Sequence, residues 1–275
     1  MKDEQAKYLN YESSNIAGKE ILIPNNLFKN FVDSNCPKVT VFCAVWSGDK
    51  ERMELLEGHS NCLISQKNAP FPFYIFDNND IPENFVLPHI VSKDPLSIYE
   101  AWNIAIILSP SEYVMNLNLD DRLFNDTVSV LMEFLEKADA DLVGGEWLID
   151  FEPPLRDIEH LRVDIGDTVF LPNWPPTKTE KLRLGSGTRE RGTFGPSTMW
   201  RKSRTGFGYP NRFLNGETIK SIGDALFWHS LQKKGRKLVK IPKIIGVYHS
   251  APASQAEFRE HSDNENLKMG FSWPL

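Results

Sequence analysis

The sequence predicts an α/β fold: a single, mostly parallel central sheet flanked by helices. Three observations predict it. The run Val39-Thr40-Val41-Phe42-Cys43-Ala44-Val45-Trp46 is almost continuously apolar, as a strand buried on both faces is. Strand-like and helix-like segments alternate over the first 150 residues. Polar residues also gather just past the ends of these strands, where open α/β sheets bind their ligands.

The elements follow in order. Residues 1–36 are polar with weak periodicity and read as an extension ahead of the main fold. The first strand ends at Ser47-Gly48-Asp49, a helix-like stretch covers Glu51 to Glu57, and a second strand, Phe73 to Phe76, stops at Asp77-Asn78-Asn79-Asp80. Ser97 and Glu100 then form an S-x-x-E capping box. Ile98, Ala101, Trp102 and Ala105 share a helical face, and Pro110 closes that helix. From Tyr113 to Leu119 the chain alternates, with Tyr113, Met115, Leu117 and Leu119 on one side and Val114, Asn116 and Asn118 on the other. Asn125 or Asp126 is placed to cap a helix with the stripe Val128, Leu131, Met132 and Leu135, and a strand from Asp141 to Trp147 follows. Residues 151–192 carry Pro153, Pro154, Pro172, Pro175 and Pro176 and read as a long functional loop or lid. A helix from about Ile222 to Lys234, stopped by Gly235, and a strand from Lys243 to Tyr248 restore order.

Composition narrows the function. With 275 residues, 41% of them hydrophobic, the chain can build a core without a disulfide or metal staple. Cys36, Cys43 and Cys62 lack any C-x-x-C spacing, which argues against zinc, and Cys43, inside an apolar run, reads as a small core hydrophobe that fits a reducing compartment. A net charge of −6 argues against nucleic acid as a partner. Met1 to Gly18 has no apolar signal-peptide core, and no stretch approaches the ~20 apolar residues of a membrane span. The expected location is the cytoplasm, with peripheral contact at the inner face of the membrane through Lys233, Lys234, Arg236, Lys237 and Lys240 as the weaker option.

Five segments are candidates for chemistry. Asn116-Leu117-Asn118-Leu119-Asp120-Asp121-Arg122 ends a strand with paired carboxylates, which suit Mg²⁺ or Mn²⁺ shared with substrate phosphates, although adjacent acids also simply begin turns. Asp77 could hold a base or ribose, or open an ordinary Asx turn. Asp224 lies in the first turn of the late helix. There the helix dipole favours an acid, but Asp224 shares its face with Phe227, Trp228 and Leu231. An ionised carboxylate facing inward is a candidate general base. His249, at a strand end, reads by itself as a surface or packing residue. Gly185-Ser186-Gly187-Thr188-Arg189 imitates a nucleotidyltransferase phosphate loop, but no strand precedes it, so it reads as a flexible loop.

Taken in order, these segments resemble a family 2 glycosyltransferase with the GT-A fold, of the bacterial type with N-x-DDR and GD-x-x-FW motifs. The matching pieces are Trp46-Ser47, Asp77-Asn78, Ile98 to Asn103, Asn118 to Asp121, Gly195 to Lys202, Gly206 to Tyr209, Gly223 to Trp228 and Gly246 to His249, spanning residues 38 to 250. The resemblance implies a GT-A domain over 37–250, with a nucleotide-sugar-binding half to residue 150, an acceptor-side half beyond it, and a C-terminal tail over 251–275. It implies Asp224 as catalytic base and Asp120, Asp121 and His249 as ligands of Mn²⁺ or Mg²⁺. It also implies donor binding by Trp46, Ser47, Asp77, Asn103, Asn118, Asp120, Trp200 and Arg201. The implied reaction is inverting transfer from a nucleoside-diphosphate sugar to a hydroxyl of a glycan, polysaccharide or lipid-linked acceptor. A sugar nucleotidyltransferase and a non-catalytic nucleotide- or glycan-binding module remain the competing readings.

Overall fold

In the computed structural model, the described residues are 10–28, 37–45, 50–77, 81–82, 85–150, 158–159, 182–185, 195–206, 208–249 and 252–269. The strands are β1 (Tyr11–Ile16), β2 (Lys19–Pro24), β3 (Val39–Val45), β4 (Phe71–Asp77), β5 (His89–Ser92), β6 (Tyr113–Asn116), β7 (Arg122–Leu123), β8 (Leu142–Asp150), β9 (Leu182–Gly185), β10 (Thr198–Arg201) and β11 (Leu238–His249). The helices are α1 (Lys50–Ile64), α2 (Ile98–Leu108), α3 (Thr127–Lys137), the single turn α4 (Lys202–Thr205), α5 (Gly223–Lys233) and α6 (Pro252–Met269).

All described strands join one sheet in the order β1-β2-β5-β4-β3-β6-β10-β8-β11-β7, with β9 paired to β8. The run β5-β4-β3-β6 is parallel, as the strand–helix alternation predicts. Beyond it the sheet is mixed. β10 lies antiparallel between β6 and β8, while β8 and β11 run parallel.

The period-2 alternation of the strands sorts side chains onto two faces. Phe42, Val114, Leu142 and Trp200 point to one face, where they meet Trp102 and Ala105 of α2 and Phe227 of α5. Their neighbours Val41, Met115, Val143 and Met199 point to the other, against Leu131 and Leu135 of α3. Val39 to Cys43 and Val45 are all buried, because helices cover both faces of β3.

The helix starts differ in how they are held. α2 has its capping box: the Glu100 N–H donates to Ser97 Oγ at 3.3 Å and the Ser97 N–H to Glu100 Oε2 at 2.9 Å. α3 does not use the expected local cap. Asp126 occupies the N-cap position but makes no side-chain capping bond, and the Val128 N–H instead donates to Gln66 Oε1, 62 residues earlier, at 3.2 Å.

Both chain ends depart from expectation. Residues assigned to an extension form the β1–β2 hairpin, which adds to the sheet through β2 and β5, with Ile21 opposite Ser92. Its two-residue turn, Ala17-Gly18, has φ +53° and +79°, the geometry that suits tight hairpins. Most turns of this kind announce themselves with Asn-Gly or Asp-Gly, which this one lacks. The assigned tail contains α6. Contrary to expectation a strand does precede the glycine loop: β9 ends at Gly185, although it lies antiparallel to β8 in mid-chain and is not the first strand of the fold. Ser186 to Arg189 and most of the Pro-rich stretch 151–192 lie outside the described residues.

Gly246 sits where β11 passes β7, and a Cβ there would stand 2.3 Å from the Arg122 carbonyl oxygen. Since backbone cannot yield cheaply, Gly246→Ala should cost at least ~1–3 kcal/mol, lowering the melting midpoint by several degrees. Gly58→Ala meets the end of a side chain rather than backbone, the Arg122 guanidinium at 2.9 Å, and gains helix propensity, so it should cost clearly less than Gly246→Ala. Equal losses in thermal melts of the two variants would contradict this packing.

Candidate active site

Because β3, β4 and β6 are parallel, their carboxyl ends open on one edge of the sheet. Phe42 pairs with Asn116 and Val45 with Phe76, so Asp77, the next residue of β4, lies further along that edge than the end of β6. Asp77 is half-buried at the end of its strand, opposite Ser92 of β5. Trp46, Ser47 and Asn78 fall outside the described residues.

Beyond β6 the chain turns tightly, with the Asp121 N–H donating to the Asn118 carbonyl at 3.1 Å. The two acids take different positions. Asp120 is part-exposed, whereas Asp121 is 0% exposed. Asp121 Oδ1 accepts the backbone N–H of His249, at 3.2 Å, which ties the end of β11 to the turn. Its Oδ2 is buried without a hydrogen bond. Burial drives the Asp121 carboxyl well above the usual carboxylate range, and the Asp120 charge pushes it further. The His249 amide, Arg122 and Asn118 act in the opposite direction.

Arg122 knits the turn from below. One guanidinium nitrogen donates to the Leu119 and Asp121 carbonyls, each at 2.8 Å, and the other to Leu55 of α1 at 3.3 Å. A buried carboxylate oxygen without a bond, beside a second acid, is costly to ionise and is relieved by a cation. The acid turn therefore fits a divalent metal. Among the described residues no three His, Cys, Asp or Glu side chains form a full metal cage. Mg²⁺-type sites need none, since one or two carboxylates and substrate phosphates complete them.

The other acid is positioned by α5. Asp224 is the second residue of that helix, and its Oδ1 accepts the Ala225 N–H at 2.7 Å. The residue is part-exposed, but its carboxylate is closed in by protein atoms and is pushed up to about 6. Burial is the main cause and the charge of Glu265 adds to it, while the Ala225 amide and the Tyr99 hydroxyl pull down. The Asp224 charge in turn raises the phenols of Tyr99 and Tyr209, after the larger effect of their own burial.

Gly223 makes this approach feasible. A Cβ there would lie 2.7 Å from the Tyr99 ring and 2.8 Å from the Pro210 carbonyl oxygen. Tyr209 links the two acid sites. Its backbone N–H and C=O bond the Asn103 side-chain amide of α2 at 2.7 Å each, and its hydroxyl donates to Asn116 Oδ1 at 3.2 Å. Asn116 also donates to the Pro196 carbonyl, at 2.8 Å, which aligns the start of β10.

Three expected donor residues have other surroundings. Asn103 commits its amide to Tyr209. Trp200 is 0% exposed and packs edge-on against Phe42 and Tyr209, with ring centroids 6.1 and 5.5 Å away. It supports the site from within the core and offers no face to a ligand. Arg201 pairs with Tyr113, at the start of β6 and so at the opposite end of the strand from Asp120. There it caps the end of α3 through the Ala140 and Leu135 carbonyls, at 3.1 and 3.2 Å. The sequence carries no direct signal for the roles of Tyr99, Tyr209 and Asn116, although each lies in or beside a motif. Glu265 lies in a polar stretch without any signal.

No protein-family model and no curated protein sequence matches the chain. Its fold is similar to that of mannosyltransferase PcManGT from Pyrobaculum calidifontis, solved in complex with GDP-Man and Mn²⁺: TM-score 0.51, 14% identity, 83% of this chain and 61% of that one. It is also similar to S. aureus TarS 1-349 in complex with UDP-GlcNAc: TM-score 0.50, 16% identity, 82% of this chain and 64% of that one. The chain thus spans less than two thirds of either neighbour. At these identities the likeness carries the fold alone, which is the GT-A type: a single sheet flanked by helices.

The raised Asp224 carboxyl has a consequence for stability. Its folded-state value, about 6, exceeds the unfolded value, so the folded state gains from the protonated form at low pH and loses that gain as pH rises through the folded value. Asp224→Asn removes the titration. It should stabilise the protein by about 1–3 kcal/mol near pH 8 and by nothing near pH 3.5. Thermal melts at both pH values test this, and an equal effect at the two would contradict it.

Proposed function

We propose that the chain is an inverting glycosyltransferase of the family 2 type, using a nucleoside-diphosphate sugar and an acceptor hydroxyl. One observation carries the reading: Tyr209 links the inward-facing Asp224 to β6, whose end bears the paired acids Asp120 and Asp121. The fold neighbours support it, one being in complex with GDP-Man and Mn²⁺ and the other with UDP-GlcNAc.

In this reading the donor lies along the carboxyl edge of the sheet. Asp77 holds its base or ribose, and the acid turn carries its diphosphate. Asp120, Asp121 and His249 would hold Mn²⁺ or Mg²⁺, which would supply neutralising charge for the leaving diphosphate. Asp224 accepts the proton of the acceptor hydroxyl. The freed oxygen lone pair then forms the new bond to the anomeric carbon, and the bond to the diphosphate oxygen breaks on the opposite face with its electron pair. A carboxylate raised to about 6 suits this task, being ionised at neutral pH yet more basic than an exposed acid. The buried Tyr99 phenol helps hold the ionised form. The acceptor belongs on the α5 side, and its class, glycan or lipid-linked, belongs to the proposal.

Thermal unfolding with UDP, GDP, dTDP and CMP, each with and without Mn²⁺, tests the donor site. A ligand at roughly 100 times its Kd adds ~2.7 kcal/mol, or several degrees at ~2–4 °C per kcal/mol. One nucleotide should produce a metal-dependent rise that Asp120→Ala abolishes. No rise with any of them, or a rise with nucleoside triphosphates alone, would overturn the reading. With the donor identified, Asp224→Asn should keep the rise and lose ~10²–10⁴-fold in transfer. The wild-type kcat/KM should fall below a pH of about 6, where Asp224 becomes protonated, and transfer that stays level through that range would exclude Asp224 as the base.

A further inference from the structure

Helix α5 begins without a cap of its own. Its N-cap is Ile222, which has no side-chain oxygen, and the helix brings no other local acceptor to its first turn apart from the Asp224 carboxylate. The donors just ahead of the helix are satisfied from far away in sequence. Glu265 of α6, 5% exposed, accepts four hydrogen bonds there. Oε1 takes the Lys220 N–H at 2.6 Å, and Oε2 takes the Ser221 and Ile222 N–H groups and the Ser221 hydroxyl at 3.0, 3.1 and 2.9 Å.

Three successive backbone N–H groups converging on one carboxylate form a nest, a concavity that favours an anion. From the opposite side the Tyr99 hydroxyl donates to the Ser221 carbonyl, at 2.8 Å. Lys268, three residues after Glu265, pairs with Glu217 and lies over the Phe213 ring at 5.6 Å. The segment leading into α5 is thus gripped by α2 on one flank and α6 on the other, two residues before Asp224.

We propose that Glu265 is a positioning residue for Asp224: its carboxylate builds the start of α5 and so fixes where the acid stands between Tyr99 and Tyr209. The C-terminal helix thereby becomes part of the catalytic apparatus. The kinetic part of this proposal rests on Asp224 as base, while its structural part does not. The titratable groups facing Asp224 are Tyr99 from α2, Tyr209 from the segment before α5, and Glu265 from α6. Of these only Glu265 contributes a carboxylate, and it is the one whose charge raises Asp224.

The test is Glu265→Gln, read by the ¹³C titration of the Asp224 carboxyl and by the amide signals of residues 220–225. Removing the charge and loosening the nest both favour ionised Asp224, so its midpoint should fall below the wild-type value while those amide signals move. With the transfer assay in hand, the acid limb of the pH profile should shift down with it, and kcat should drop severalfold while the donor KM stays level. Glu265→Asp, which keeps the charge but withdraws it by one methylene, should shift less in the same direction, and it carries the test if Glu265→Gln does not fold.

A folded variant with an unchanged Asp224 midpoint and unchanged 220–225 signals overturns the proposal. A moved midpoint in a protein whose wild type transfers no sugar supports the positioning and removes the transferase reading instead. The two failures are therefore distinguishable.

Discussion

Tyr209 is the joint on which the arrangement of the site depends. Its backbone is held at both polar groups by Asn103, its hydroxyl bonds Asn116 on β6, and its ring packs against Trp102, Trp200 and Phe227. Aromatic contacts of this kind contribute ~0.5–1.5 kcal/mol each beyond area burial. The polar bonds add direction, which the packing alone would not. Tyr209 thus adds a polar, directional link between the strand that ends in the acid turn and the helix that carries Asp224, beside the direct contact of Trp200 with Phe227 at 5.3 Å between ring centroids.

The site holds two carboxylates against their preference. Asp121 is buried with one oxygen unbonded, and Asp224 is enclosed next to a second buried acid. Both raise the energy of the ionised folded state, and a core assembled only for stability would replace them. Sites that trade stability for a reactive group show this pattern. The two acids differ in what relieves them. A cation would relieve Asp121, whereas a proton taken from an acceptor would relieve Asp224, so one acid suits binding and the other proton transfer.

Much of this was legible in the sequence because local physics dictated it. The apolar run of β3, the Ser97–Glu100 capping box and the alternation of β6 each reflect a period or a spacing, and Asp224 betrayed itself by sharing a face with Phe227 and Trp228. Contacts set by distant residues were not legible. The start of α3 is held by Gln66 and the run into α5 by Glu265, and neither partner has a periodic signature. The β1–β2 hairpin was hidden by its polar outer face and its Ala-Gly turn. Trp200 and Arg201 were adjacent in a motif, yet alternation and antiparallel pairing send one into the core and the other to the far end of the sheet. A string of letters does not show which way a strand runs.

In the proposed function the acid turn and Asp224 share one cleft, with a metal–nucleotide complex at the turn. Paramagnetic broadening by Mn²⁺, added with the nucleotide that stabilises the protein, measures this directly. The account predicts that amide signals of Asn118 to Asp121 disappear first, and that those of Tyr209 and Asp224 broaden next. Signals from Arg201 and from the β1–β2 hairpin should stay sharp. Broadening centred elsewhere, or confined to the turn with Tyr209 and Asp224 untouched, would contradict it.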